Sequence, residues 1–449
     1  MWAKIKIIHS EKDAVYLPEP FMTPGRPFAE VRFGGIQNMA EVIFTHARSP
    51  EGKTFSDPAV IGLSEPLAKT LMIPLCCVYR VVLRPQSIAF GPVIGLLLGI
   101  HTNRYTPDHM EKYSDRFGIY PEIGGLICAF SPKSVDWHTH SACGLIFNPE
   151  ENRWEYGCFP LPDVIYRRDF HMGSLFIKQL SEFTNGRLFN SYRFTKFELY
   201  DYIRNNRSLR QYIPPTELCI DFRQAFEFIR RHPTVILKPV DLSRGRGICV
   251  IEQDGEGYRV SDYRERDPHT ILIADKNELE QFFRKNPGFF DQYLIQQYLR
   301  LAHIGDSLFD IRVVMQKRQD RSWGCTGIEC RVSGPGYLLT NISRGGSALT
   351  LSEALRRAFG AEDEACKTLP PKIDALCREF CLYMDTTGEH FAEFGMDIAV
   401  DTDKNIWLIE ANVFPSFKGF KRTDKATYLA IRHQPLRYAL SLTEFNEKA

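Results

Sequence analysis

The stretch IWLIEANVFPS, Ile406 to Ser416, decides how this chain is read. Ile, Trp, Leu and Ile in a row predict a buried strand, yet it runs directly into Glu410, Ala411 and Asn412. A carboxylate and an amide closing an apolar strand are costly to bury unless something cationic meets them. Upstream, Asp401 to Asn405 (DTDKN) is turn chemistry, preceded by a second strand-like run up to Val400. An antiparallel hairpin centred between Asp403 and Lys404 sets Asp397 directly opposite Glu410. Side chains alternate along a strand, so Glu410 and Asn412 share a face. Three oxygen donors then converge, and two of them carry like charges that repel unless a cation lies between. Hard oxygen ligands with no Cys or His suit Mg²⁺ or Mn²⁺. Magnesium completes its shell with water and substrate phosphates, so the pattern points toward a nucleotide. The plainer alternative leaves Asp397 and Glu410 solvated on an exposed strand face. A calcium loop over Asp401, Asp403 and Asn405 fails: Ile406 stands where that loop needs Gly, and Asn412 where it needs Glu.

If phosphates come to a metal here, basic groups and backbone donors are needed as well. TVILKPVDLSRGRGICV, Thr234 to Val250, supplies them. Lys238 ends an apolar strand that Pro239 keeps extended. A loop follows with Gly245 and Gly247 beside Arg244 and Arg246, and glycines let main-chain N–H groups approach phosphate closely. There is no GxxxxGK[ST], so this is no Walker P-loop. No HRD or DFG accompanies the strand lysine, which argues against a protein kinase.

Apolar residues at 44% and charged residues at 25% describe a soluble globular protein. A chain of 449 residues is too long for one ordinary core, so two or three domains are expected. A net charge of +1 gives no electrostatic reason to expect nucleic acid or an anionic membrane as partner. The first residues lack an apolar run of signal-peptide length. The most apolar segment, Ile88 to Ile100, is broken by Gly and Pro and falls short of the roughly 20 residues of a membrane span, so it reads as a buried strand. Twelve cysteines without a CxxC pair suit reduced thiols in a cytoplasmic protein.

Alternating apolar strands and helical stretches predict a mixed α/β (α+β) chain. Residues 1–83 read as a small β-rich unit, 84–183 as an α/β layer and 184–449 as the nucleotide-binding part. Thr195-Lys196-Phe197-Glu198 and Thr350-Leu351-Ser352-Glu353 are capping boxes, and Asp221 and Asp275 are N-caps.

LKPVDLSRGRGI, LIQQYL, FDIRVVMQ, TNISRGGSA and MDIAV…IWLIEAN, in that order, resemble an ATP-grasp fold over roughly Thr184 to Leu442. With GPVIGLLLG and LPDVIYRR ahead of it, the whole chain resembles the YheC/YheD-type endospore coat-associated proteins. The resemblance implies an ATP-grasp fold preceded by a pre-ATP-grasp α/β domain and the N-terminal unit. It further implies an ATP- and Mg²⁺-dependent ligase that joins a carboxylate substrate to an amine acceptor through an acyl phosphate. Lys196 and Lys238 would contact ATP phosphates, and Ser243, Gly245 and Gly247 would belong to the loop above them. Gln297, Tyr298 and Leu299 would hold adenine, with Asp310 and Asn341 as further polar positions near the nucleotide. Arg312 and Arg344 would face the γ-phosphate and the reacting acyl group, and Asp397, Glu410 and Asn412 match the metal triad. Gln296-Gln297 replaces a pair that contains Glu in many relatives. Leu339 replaces a basic residue of the ligases that modify ribosomal proteins, which questions that substrate here. The family name implies spore-coat proteins as partners, and a nucleotide-binding coat scaffold with little catalysis is the alternative function.

Overall fold

The computed structural model describes residues 1–18, 21, 27–45, 51–169, 173–240, 247–264, 269–334 and 347–446. Of the residues singled out above, Ser243, Arg244, Gly245, Arg246, Leu339, Asn341 and Arg344 lie outside these.

Seven strands, from Trp2–Ile8 to Ser87–Gly91, close into a barrel. Inward residues such as Val15, Val31, Phe33, Ile61, Tyr79 and Phe90 fill it. The expected boundary at residue 83 falls within the closing hairpin, because Val78–Arg84 and Ser87–Gly91 pair to complete the barrel. The apolar run from Ile88 onward is therefore two strands, divided at Gly91–Pro92. The second, Val93–Leu97, lies in a six-stranded sheet and pairs in parallel with Leu126–Asp136 and Val164–Arg167.

That sheet corrects the expectation that every cysteine is a free thiol. Cys143 and Cys158 face each other across two antiparallel strands and form a disulfide, with Cα atoms 4.0 Å apart. Cysteine spacing alone does not reveal such a pair, because the hairpin register brings the two residues together. The other ten cysteines are free.

The C-terminal part contains two further sheets. In one, Thr234–Pro239 lies between Tyr293–Gln297 and Ile248–Asp254, and helices Phe222–Arg231 and Lys276–Lys285 cover one face. Asp221 and Asp275 cap these helices by accepting main-chain N–H bonds, as their short oxygen-bearing side chains allow. Val235 and Leu237 point into this core, which turns Lys238 to the opposite face. In the other sheet four strands carry the site. They are called here by their key residues: the Arg312 strand (Ser307–Lys317), the Glu329 strand (Trp323–Val332), the Asp397 strand (Glu393–Val400) and the Glu410 strand (Ile406–Asn412). Helices Leu351–Phe359 and Ala365–Met384 cover its apolar face. Thr350 caps the first of these through Glu353 N–H, and Thr195 with Glu198 forms the full reciprocal capping box on helix Lys196–Arg204.

Helix Lys425–Ser441 joins the sheets of the second and C-terminal parts. Pro435 has no N–H for the Ile431 carbonyl, and Gln316 Nε2 donates to that oxygen at 2.9 Å instead. Gln316 also donates to Glu393, which accepts from Tyr166 and Arg168 of the preceding sheet. The proline is thus accommodated by a buried polar network that ties the two parts together. No helix among the described residues is long and apolar enough to cross a membrane.

Candidate active site

The hairpin that opened the sequence reading forms, and Asp397 does lie opposite Glu410. It does so by a different route from the one expected. The turn is centred on Asp403, pairing Val400 with Ile406, and a bulge at Ile409 restores the expected register from Asp397 onward. The bulge has a chemical consequence. Ile406 and Leu408 point into the core, so strict alternation would send Glu410 and Asn412 there too. The extra residue reverses the faces: Ala411 and Val413 enter the core, while Glu410 and Asn412 face the cleft. Asp401 organises the turn itself, accepting from the N–H groups of Asp403 and Asn405 and from the Trp407 indole. Its carboxylate is occupied by its own loop, in keeping with the rejected calcium reading.

The Glu329 strand repeats the device. A bulge at Thr326 lets Trp323 and Cys330 both reach the core and turns Glu329 and Arg331 to the cleft face. Register then sets one row of charged residues across four strands: Glu329 opposite Arg312, Arg312 opposite Asp397, Asp397 opposite Glu410. One step to one side Asp310 is opposite Arg331, and one step to the other Gly395 is opposite Asn412. Gly395 has no alternative, because a Cβ there would come within 2.4 Å of Pro415, which folds back over the sheet.

Asp397 finds its counter-charge within the protein. Arg312 donates from Nε and Nη2 to the two oxygens of Asp397, at 2.5 and 3.1 Å. Arg331 reaches Asp397 at 3.1 Å and makes a bidentate pair with Asp310 at 2.5 and 2.6 Å. Burial opposes ionisation of Asp397, but Arg312 and Arg331 outweigh it and hold the carboxyl below its usual range. Glu410 moves the other way: burial and the Asp397 charge push it up, against Lys196, Arg312 and Lys238. Burial likewise pushes Glu329 up to about 7, and its Oε2 has no hydrogen-bond partner among the described residues.

Across the cleft, Lys238 donates to the amide oxygen of Gln296 at 2.6 Å, and Gln296 donates in turn to Thr216. The Gln noted in the sequence is therefore the neutral partner of this lysine. Burial, then the charge of Lys196, lowers Lys238 to about 8. Lys196 itself reaches the Pro239 carbonyl at 3.4 Å. Along the link between the sheets, Gln297 N–H donates to Pro215 and Tyr298 N–H to Thr234. Leu299 makes no main-chain hydrogen bond among the described residues.

The structure thus brings Lys196, Lys238, Asp310, Arg312, Asp397 and Glu410 into one electrostatic cluster, with Asn412 on the same face. Gly247, at φ 76°, immediately precedes the strand Ile248–Asp254. Gln296, Glu329 and Arg331 complete the cluster and were not among the predicted site residues. Glu329 and Arg331 are two apart in GIECRV, which marks a shared face, but only the bulge assigns that face to the cleft. Four carboxylates (Asp310, Glu329, Asp397, Glu410) meet four basic groups (Lys196, Lys238, Arg312, Arg331).

No three His, Cys, Asp or Glu side chains among the described residues are gathered closely enough to hold a metal ion. Asp397, Glu410 and the amide of Asn412 are nonetheless an all-oxygen donor set of the kind magnesium takes, and the raised Glu410 is the state a nearby cation would relieve.

Over 367 residues the chain is 25% identical to the endospore coat-associated protein YheD of Bacillus subtilis strain 168, covering 79% of each. It is 22% identical over 312 residues to YheC of the same strain, covering 67% of this chain and 84% of that one. Among solved structures, N5-carboxyaminoimidazole synthetase from Staphylococcus aureus aligns with TM-score 0.44 at 12% identity, over 78% of this chain and 77% of that one. The ATP-grasp ligase PsnB complexed with minimal precursor aligns with TM-score 0.41 at 13% identity, over 77% and 97%. A family model described as YheC/D-like ATP-grasp matches residues 185–442, more than half of the chain and all of the charged cleft. The chain belongs to the YheC/D-like ATP-grasp family.

Proposed function

We propose that the chain is an ATP-dependent ligase joining a carboxylate to an amine, with Mg²⁺ (or Mn²⁺) as its metal. One observation carries this reading. Lys238 is a partly buried cation whose hydrogen-bond partner is a neutral amide and whose proton is loosened to about 8. A lysine left short of negative charge, facing a cleft, suits the phosphates of a nucleotide.

In the proposed reaction a carboxylate oxygen takes the γ-phosphoryl group of ATP, releasing ADP. The amine then attacks the acyl carbon, expels phosphate and loses a proton to leave an amide. Lys196 and Lys238 hold the phosphates, together with main-chain groups of the Gly245–Gly247 loop and Ser243. The main-chain groups of Leu299, unpaired among the described residues and beside Gln297 and Tyr298, suit an adenine edge. Arg312 and Arg344 are assigned to the charge that develops during transfer, and Asp310 and Asn341 to further polar contacts with the nucleotide; preorganised donors account for much of phosphoryl-transfer catalysis. Asp397, Glu410 and Asn412 would hold the metal, which when bound neutralises phosphate charge. The names of the relatives suggest the spore coat as the setting and coat proteins as partners.

The test is ADP release from purified protein with ATP, Mg²⁺ and a panel of acids and amines, with the amide product identified by mass spectrometry. ATP with Mg²⁺ should also raise the melting temperature, and Lys238→Ala should abolish that shift. Equal shifts in both proteins would refute the nucleotide assignment. ATP binding without turnover on any substrate pair would favour the coat-scaffold reading.

A further inference from the structure

Asp397 already gives both its oxygens to Arg312. A divalent cation ligated by the same carboxylate would lie within a few ångströms of that guanidinium, and the like charges repel. We infer that Glu329 is the exchange partner of Arg312: when a metal enters at Asp397 and Glu410, the guanidinium swings from Asp397 to the Glu329 carboxylate. The inference rests on the metal site proposed above.

Register makes the exchange local. Asp397 and Glu329 are the two direct cross-strand neighbours of Arg312, one on each side. Directly opposed residues have Cβ atoms roughly 5 Å apart, so one guanidinium reaches either carboxylate by side-chain rotation alone. The present bonds of Arg312 go to the Asp397 side and to the Ser416 carbonyl at 3.4 Å. On the other side Glu329 is 4% exposed, and its Oε2 is without a partner among the described residues. An orphan buried carboxylate oxygen is costly and calls for a reason.

Among the described residues, alternative partners are committed or blocked. Arg331, two residues along the same strand, is held by Asp310 and Asp397. Helix Lys418–Thr423 closes the remaining side so tightly that a Cβ at Gly419 would come within 2.1 Å of Glu329 Oε2. Displacing Arg312 with no new partner would leave a buried cation unpaired, which is far costlier than exchanging one carboxylate for another. Glu329 is thus a positioning residue: it touches neither metal nor nucleotide, and acts by receiving the arginine that must leave.

The test titrates Mn²⁺ into the full chain with a non-hydrolysable ATP analogue, followed by electron paramagnetic resonance. Glu329→Gln should weaken Mn²⁺ about tenfold, equivalent to about 1.4 kcal/mol, without lowering the melting temperature of the metal-free protein. In an Arg312→Gln background no cation needs receiving, so adding Glu329→Gln should change Mn²⁺ affinity by less than about twofold. Unchanged affinity in the single variant, or an equal loss in both backgrounds, overturns the exchange. Glu329→Asp keeps the charge and shortens the reach, and serves if Glu329→Gln does not fold; it too should weaken Mn²⁺ only when Arg312 is present. Glu410→Gln separates the two readings. If it leaves Mn²⁺ binding intact, the metal assignment itself is wrong; if it abolishes binding while Glu329→Gln does nothing, only the exchange fails.

Discussion

Replacing Lys238 with methionine should make the empty protein more stable while removing its response to ATP. The partly buried ammonium is lowered to about 8 from its ordinary 10.5. Each pKa unit corresponds to about 1.4 kcal/mol, so the charged lysine costs the fold on the order of 3 kcal/mol at pH 7. Methionine of similar length removes that cost but forfeits the bond to Gln296, worth about 1–2 kcal/mol when its oxygen is left unpaired. The net expectation is a gain of about 1–2 kcal/mol for Lys238→Met at pH 7. The pH dependence gives the sharper check. A lysine with a depressed folded pKa penalises the fold fully below about 8. The penalty fades as pH rises toward the unfolded value, because there the unfolded chain binds more protons than the folded one. The advantage of Lys238→Met should therefore be present at pH 7 and largely gone by about pH 10.5. Urea unfolding at several pH values measures this, and repeating it with ATP and Mg²⁺ should stabilise only the wild type. A variant less stable than wild type at pH 7, or a difference that does not move with pH, would refute the reasoning.

Other substitutions probe the same charges and the disulfide. Asp397→Asn leaves Arg312 and Arg331 without their shared carboxylate and should cost about 3–5 kcal/mol in urea unfolding. Glu410→Gln should do the opposite, because burial and Asp397 already disfavour its charge: at pH 7 the metal-free protein keeps or gains stability while metal-dependent ATP binding is lost, as isothermal titration would show. Reducing Cys143–Cys158, which closes a loop across a sequence separation of 15, should lower stability by about 3 kcal/mol on the chain-entropy account. Parallel denaturation of Cys143→Ser with and without reductant checks this, and only the wild type should respond to the reductant.

Local chemistry was legible in the sequence. Oxygen-bearing side chains at Thr195, Asp221, Asp275 and Thr350 cap helices where their spacing predicted. Asp401 builds its turn, and Lys238 ends a strand facing away from Leu237. Each depends on residues a few positions apart, so each can be read from the chain alone. The pairing of Asp397 with Glu410 was read correctly from a turn placed half a residue too late, and a bulge supplied the difference. Alternation identifies residues that share a face without saying which face is buried, and single extra residues at Thr326 and Ile409 make that choice for Glu329, Arg331, Glu410 and Asn412. The partner of Asp397 was beyond the sequence for a different reason. Arg312 lies 85 positions away, and the disulfide likewise joins residues on separate strands. Capping and turn preferences act within a few bonds, whereas strand register is set when whole apolar faces find their core. The fold's local pieces were therefore written in the sequence, and the charge balance of the cleft was decided only when four strands came into register.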